Sequence, residues 1–200
     1  MFYDSIVRHV NRHLGNCVTY RGEGTGNSRI DVLAVAMEGH TILITAGMSC
    51  QPPDCIPSCP AYIPEICNNS RAELVVGLPA KWSLPEAREL FETWVGNIRN
   101  LAMYPHNNHT CIKAGTTIPE GDPQSWHHRA YFFTKPTFLS EGFCKLSIGE
   151  LTIDFLGVVP ILPEEYDLVL KHGNRRLLSH LKEKGVTEIM CPQLGRWAAR

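Results

Sequence analysis

An α+β domain, with a largely antiparallel sheet at its centre and helices around it, is what the sequence predicts. Three observations lead there. Runs of branched and aromatic residues cluster together instead of alternating regularly with helical patterns, which argues against a parallel α/β architecture. Several of these runs are separated by only two or three turn residues, the spacing of hairpins. Finally, the 200 residues are 44% hydrophobic, with no repeat, low-complexity tract or linker long enough to divide them, so one domain over 1–200 is expected.

The first element is a helix. In MFYDSIVRHVNRHLG the apolar residues Phe2, Tyr3, Ile6, Val7, Val10 and Leu14 fall on one face, and Gly15-Asn16 ends it. The segment has no uninterrupted apolar stretch or cleavage site of a secretory leader, so it reads as a packing helix. RGEGTGNSR follows, and its alternating glycines lack the strand before and helix after that a phosphate loop needs. It reads as a turn.

IDVLAVAM and TILITAGM, joined across Glu38-Gly39-His40, predict a hairpin of two buried strands, and AELVVGLP predicts a third strand. Ser83-Leu84-Pro85-Glu86 has the form of a capping box and predicts a helix start. Leu90, Phe91, Trp94, Ile98, Leu101 and Ala102 would be its apolar stripe, and Tyr104-Pro105 its end. HTCIKAGTTI, AYFFTKPTFL, FCKLSI and LTIDFLGVVPI are further strand candidates, the last two linked across Gly149-Glu150. Pro163, Glu164 and Glu165 open another helix that Lys171, His172 and Gly173 close, and a short helix carrying Leu177, Leu178 and Leu181 ends at Gly185.

Charge excludes some partners. With a net charge of −1 the chain carries no basic field suited to nucleic acid phosphates, and no apolar run approaches a membrane span. A cytoplasmic location follows as the expectation. Eight cysteines are then reduced thiols instead of a disulfide framework.

The segment GMSCQPPDCIPSCPAYIPEICNNSRAELVVGLPAKW puts Cys50, Cys55, Cys59 and Cys67 in one loop. Their spacings fit a tetrahedral thiolate site, so a zinc-stabilised scaffold is one reading. Against it, five prolines at 52, 53, 57, 60 and 64 remove the amide donors that zinc knuckles use, and small soft residues in a binding loop are preferred. His106, His109 and Cys111 form a second metal-like cluster, in a stretch where Asn and His are ordinary turn residues. Trp126-His127-His128-Arg129 adds imidazoles that suit acid or base work, and a His/Cys-dependent hydrolase is the enzymatic alternative. No nucleophile elbow supports it. Asp154, Glu164 and Glu165 are explained by strand alternation and helix-dipole complementarity. No catalytic residue, metal or cofactor is expected.

TILITAGMS, AELVVGLPAKW, NIRNLAMYP with IKAGTTIP, and IDFLGVVPILPEEYDLVLKHGNRRLLSHL occur in the order seen in the Suppressor of Fused family, which the chain resembles from about Asp31 to Arg196. The resemblance implies a mixed sheet flanked by helices and a non-enzymatic protein-binding module. In animals such a domain is half of a two-lobed regulator that sequesters zinc-finger transcription factors in Hedgehog signalling. The length here is closer to the bacterial single-domain members, for which toxin immunity by direct binding is the implied role. The partner would be another protein, a cognate toxin first among candidates. Gly47, Met48 and Ser49 stand out as the family's loop motif and as candidate protein-binding residues, with a strand-ending turn as the simpler role. Glu73 and Trp82 fit the pattern too, Trp82 more readily as a core lid than as a hot spot.

Overall fold

The computed structural model describes residues 2–24, 29–50, 70–119 and 129–190. Among them are eight strands and four α-helices. In chain order these are α1 (Phe2–Leu14), β1 (Val18–Tyr20), β2 (Asp31–Met37), β3 (His40–Ala46), β4 (Ser70–Pro79), α2 (Arg88–Asn107), β5 (Thr117–Pro119), β6 (Ala130–Thr134), β7 (Lys145–Ile148), β8 (Leu151–Ile161), α3 (Pro163–His172) and α4 (Asn174–Glu183). The sheet runs β1-β2-β3-β4-β8-β6-β5, with β7 also on β8. Among the described strands every pairing is antiparallel except β4 with β8, so the sheet is mixed and largely antiparallel.

Both faces are covered, which is why β2, β3, β4 and β8 are almost continuously apolar instead of alternating. On one face Leu43, Leu74, Val76, Leu78, Phe133 and Val158 meet the α2 stripe of Phe91, Trp94, Val95, Ile98, Leu101 and Ala102. Trp82 is buried in the same layer. On the other face Ile6 and Val10 of α1 pack on Leu33, Ile42, Ile44, Phe143 and Phe155. Beside them, Leu177 and Leu181 of α4 cover Phe132, Val159 and Ile161. No helix among the described residues is long and apolar enough to cross a membrane.

Local predictions differ from the structure at several ends. Ser83 caps no helix: it ends the 3-10 turn Ala80–Ser83, its hydroxyl donates to the Ala80 carbonyl at 2.7 Å, a second 3-10 turn (Pro85–Ala87) follows, and α2 begins at Arg88. Leu84, held extended at ψ 155° by Pro85, breaks the helical path there. Pro105 does not stop α2, which continues to Asn107. In the final turn a missing N–H costs only one bond, and Asn108 and Thr110 close the end on the Tyr104 and Pro105 carbonyls. HTCIKAGTTI is strand only from Thr117, because Ala114-Gly115 make a turn whose Gly115 amide bonds the Phe133 carbonyl. AYFFTKPTFL is strand only to Thr134, since Pro136 cannot donate to a ladder. β1 is an element the turn-rich stretch around it concealed.

The pairing of β4 with β8 leaves a fork. β8 follows β4 from Ser70↔Thr152 to Val75↔Gly157 and then swings onto β6. Residues 188–190 fill the opening: the Gly77 amide donates to the Glu188 carbonyl at 3.0 Å, and the Met190 amide donates to the Gly77 carbonyl at 2.8 Å.

Candidate interaction site

Gly47, Met48 and Ser49 follow directly from β3, as expected of a strand-ending turn. Gly47 sits at φ 132°, a backbone conformation that favours glycine, and a Cβ there would lie 2.3 Å from the Arg29 carbonyl oxygen. Met48 and Ser49 are buried. The motif therefore offers little of its own side-chain surface.

What holds it is Glu73, wholly buried in β4. One carboxylate oxygen accepts from the Gly47 amide (3.0 Å), the Ser49 amide (3.0 Å) and the Ser49 hydroxyl (2.6 Å). The other accepts from the Thr45 hydroxyl at 2.6 Å, and that hydroxyl accepts in turn from the Leu74 amide at 2.8 Å. Burial pushes the Glu73 carboxyl above its ordinary value, and the donors from Ser49, Thr45 and Gly47 oppose that rise. Two further contacts close the knot. Arg71 donates to the Ser49 carbonyl at 3.2 Å, and His106 of α2 donates through Nε2 to the Met48 carbonyl at 3.2 Å. The loop is thereby tied to both β4 and α2.

The sequence signal for Glu73 was an acid inside an otherwise apolar strand; nothing local pointed to Thr45, Arg71 or His106 as its companions. His106 is engaged with backbone, and His109 sits at φ 49° just after α2. No group of three His, Cys, Asp or Glu residues among the described residues is arranged to hold a metal ion. Cys50, half-buried at the end of the motif, has its thiol pushed up by burial and by the charge of Glu73, so it is a poor nucleophile. Cys55, Cys59, Cys67, His127 and His128 lie outside the described residues.

Asp154 and Glu165 have separate structural roles. Asp154 lies 3.8 Å from the Lys145 ammonium on β7. Glu165 is buried and accepts from the Leu162 amide at 2.9 Å, capping α3. Sequence reasoning missed another buried acid, Glu188. Its carboxylate accepts from the hydroxyls of Thr134 and Thr137, the latter at 2.9 Å.

A family model and a solved structure agree with this architecture. The family model described as Suppressor of fused protein matches residues 26–193. The crystal structure of the Sufu-Fu complex superposes with a TM-score of 0.58 at 13% identity, over 90% of this chain and 84% of that one. The crystal structure of Drosophila Suppressor of Fused aligns with a TM-score of 0.48 at 16% identity, over 84% of this chain and 38% of that one. A comparison with curated proteins finds no match.

Proposed function

Because the chain belongs to the Suppressor of fused family, we propose that it is a non-enzymatic protein-binding module acting as an immunity protein, which neutralises a toxin by occluding it stoichiometrically. The family match over residues 26–193 carries the reading, and the related fold is also that of a structure solved as a Sufu-Fu complex. The described residues support it from the other side. The buried acids Glu73 and Glu188 and the half-buried His106 are spent on hydroxyls, amides and carbonyls of the fold itself. In this reading Gly47, Met48 and Ser49 serve binding by fixing the point and direction in which the chain leaves β3. Their own atoms are turned inward, so a change at Met48 disturbs the core before any contact surface.

Co-expression with the products of neighbouring genes tests the proposal, with rescue of cells from a toxic one as the readout. Rescue by one specific toxin partner, and co-purification at fixed stoichiometry through an interface on the order of 1,600 Å² in total, is the expected result. Turnover of an ester, peptide or phosphate substrate that a change at Cys111 abolishes would overturn the non-enzymatic part. Failure to bind any neighbouring toxin would remove the immunity role.

A further inference from the structure

We propose that the recess between β6, β8 and α4 is an anchor pocket for the partner, a contact separate from the chain leaving β3, and that it takes an acidic segment carrying a large apolar anchor. This rests on the protein-binding reading and adds to it a place and a partner chemistry. The recess has a volume of about 570 Å³, with Phe132, Val159, Leu181 and Val186 in its floor and the exposed Leu178 at its edge. A second recess of about 270 Å³ adjoins it, and the two share Ala114 and Lys135. Such paired hollows suit the side chains of one extended or helical segment. They are too small to make a stable interface alone, and suit the anchor pocket at the centre of a larger one.

Charge decides what kind of segment. Lys113, Lys135, Lys145, Arg175 and Lys182 line the two recesses, on a chain whose net charge is −1. Lys135 is paired with Glu141 at 2.8 Å and Lys145 with Asp154 at 3.8 Å. Lys113, Arg175 and Lys182 are exposed and have no carboxylate partner among the described residues. The remaining acid, Glu188, lies at the bottom with its oxygens taken up by Thr134 and Thr137. An apolar floor under a rim on which three of the five cations carry no carboxylate partner among the described residues is complementary to acidic residues flanking an aromatic or aliphatic side chain. Nucleic acid fits less well, because Phe132, the aromatic ring of the floor, is buried and offers almost no exposed face for a base to stack on. An anionic membrane fits less well again, because the apolar surface is concave.

Methyl NMR of the full chain tests this. The probe is a short synthetic peptide with a central Trp between Glu and Asp residues, set against the same peptide with Lys in place of the acids, single-stranded DNA, and phosphatidylglycerol vesicles. The acidic peptide is expected to bind saturably and move the methyls of Leu178, Leu181 and Val186. The double variant Arg175→Glu, Lys182→Glu is expected to bind it at least about tenfold more weakly with an unchanged thermal midpoint. Leu178→Asp, at another exposed position, should weaken it as well. Equal binding of the acidic and lysine peptides, stronger binding of DNA or vesicles, or full affinity in the charge-reversed variant sinks the proposal. A toxin partner that binds the charge-reversed variant as well as the wild type sinks only the placement, leaving the protein-binding reading intact. The absence of any protein partner takes down both.

Discussion

At the scale of one residue, Glu73 shows how a buried acid can organise a loop. Taking a carboxylate out of water costs several kcal/mol, and four hydrogen bonds from Gly47, Ser49 and Thr45 offset that cost only when all are made together. Glu73→Gln keeps the shape, but its amide nitrogen must face either the Gly47 and Ser49 donors or a Thr45 hydroxyl that has to turn from donating to accepting, so a loss of roughly 1–3 kcal/mol is expected; Glu73→Ala, which orphans every donor, should cost more. The pH dependence has a definite sign. Because burial raises the folded-state value above the unfolded one, the Glu73 contribution is full in acid and is lost as pH rises through the folded-state value. The stability gap between wild type and Glu73→Gln should therefore narrow from acid towards alkaline pH. Urea unfolding of both proteins across pH measures it, and a gap that widens with pH would contradict the assignment.

At the scale of an element, α1 is attached through a histidine that must stay neutral. His9 is buried, donates through Nε2 to the Phe143 carbonyl at 2.9 Å, and stacks on Phe155 with ring centres 5.2 Å apart. Burial depresses its pKa; the neighbouring His13 and Arg12 add to the depression, while the bond to Phe143 opposes it. A depressed histidine binds its proton more readily in the unfolded chain. Stability is therefore present above the unfolded value, near pH 6.5, and is lost as pH falls from there towards the folded value. Wild type should lose stability between about pH 7.5 and 5.5 by a component that His9→Phe lacks, since phenylalanine keeps the aromatic packing and cannot titrate. Equilibrium unfolding at several pH values gives the comparison. Parallel pH profiles for the two proteins would show that His9 is not the titrating group.

At the scale of the molecule, the fork between β4 and β8 joins the two halves of the sheet through the tail that follows α4. Gly157 has no room for a side chain: a Cβ would lie 2.4 Å from Glu188 Cγ and 2.9 Å from Thr134 Oγ1. Gly157→Ala should therefore displace residues 188–190 and cost about 1–3 kcal/mol. Gly96 in α2 is the contrast, because a Cβ there meets nothing within 4 Å. Gly96→Ala should stabilise by roughly 0.5–1 kcal/mol through helix propensity alone. Thermal unfolding separates the two, and a neutral Gly157→Ala would mean that the tail does not wedge the fork.

The types of the major elements were legible in the sequence because they depend on local periodicity. The α1 face of Ile6 and Val10, the α2 stripe of Trp94 and Ile98, and the branched runs of β2, β3, β4 and β8 each declare themselves within a dozen or so neighbours. The family blocks extended that to the sheet as a whole. Only tertiary structure decided the rest, since strand pairing and burial join residues far apart in the chain. Nothing local says that Leu74 should lie opposite Leu156, that Ser83 should turn back on Ala80, or that α2 should pass through Pro105. An acid on the page is equally a surface charge or a buried anchor. Glu73 and Glu188 became anchors because distant hydroxyls and amides converge on them, 24 to 28 residues away for Glu73 and 51 to 54 for Glu188. The basic rim around the apolar recess has the same origin: Lys113, Lys135 and Lys182 come from three separate segments, and only the folded sheet brings them to one face.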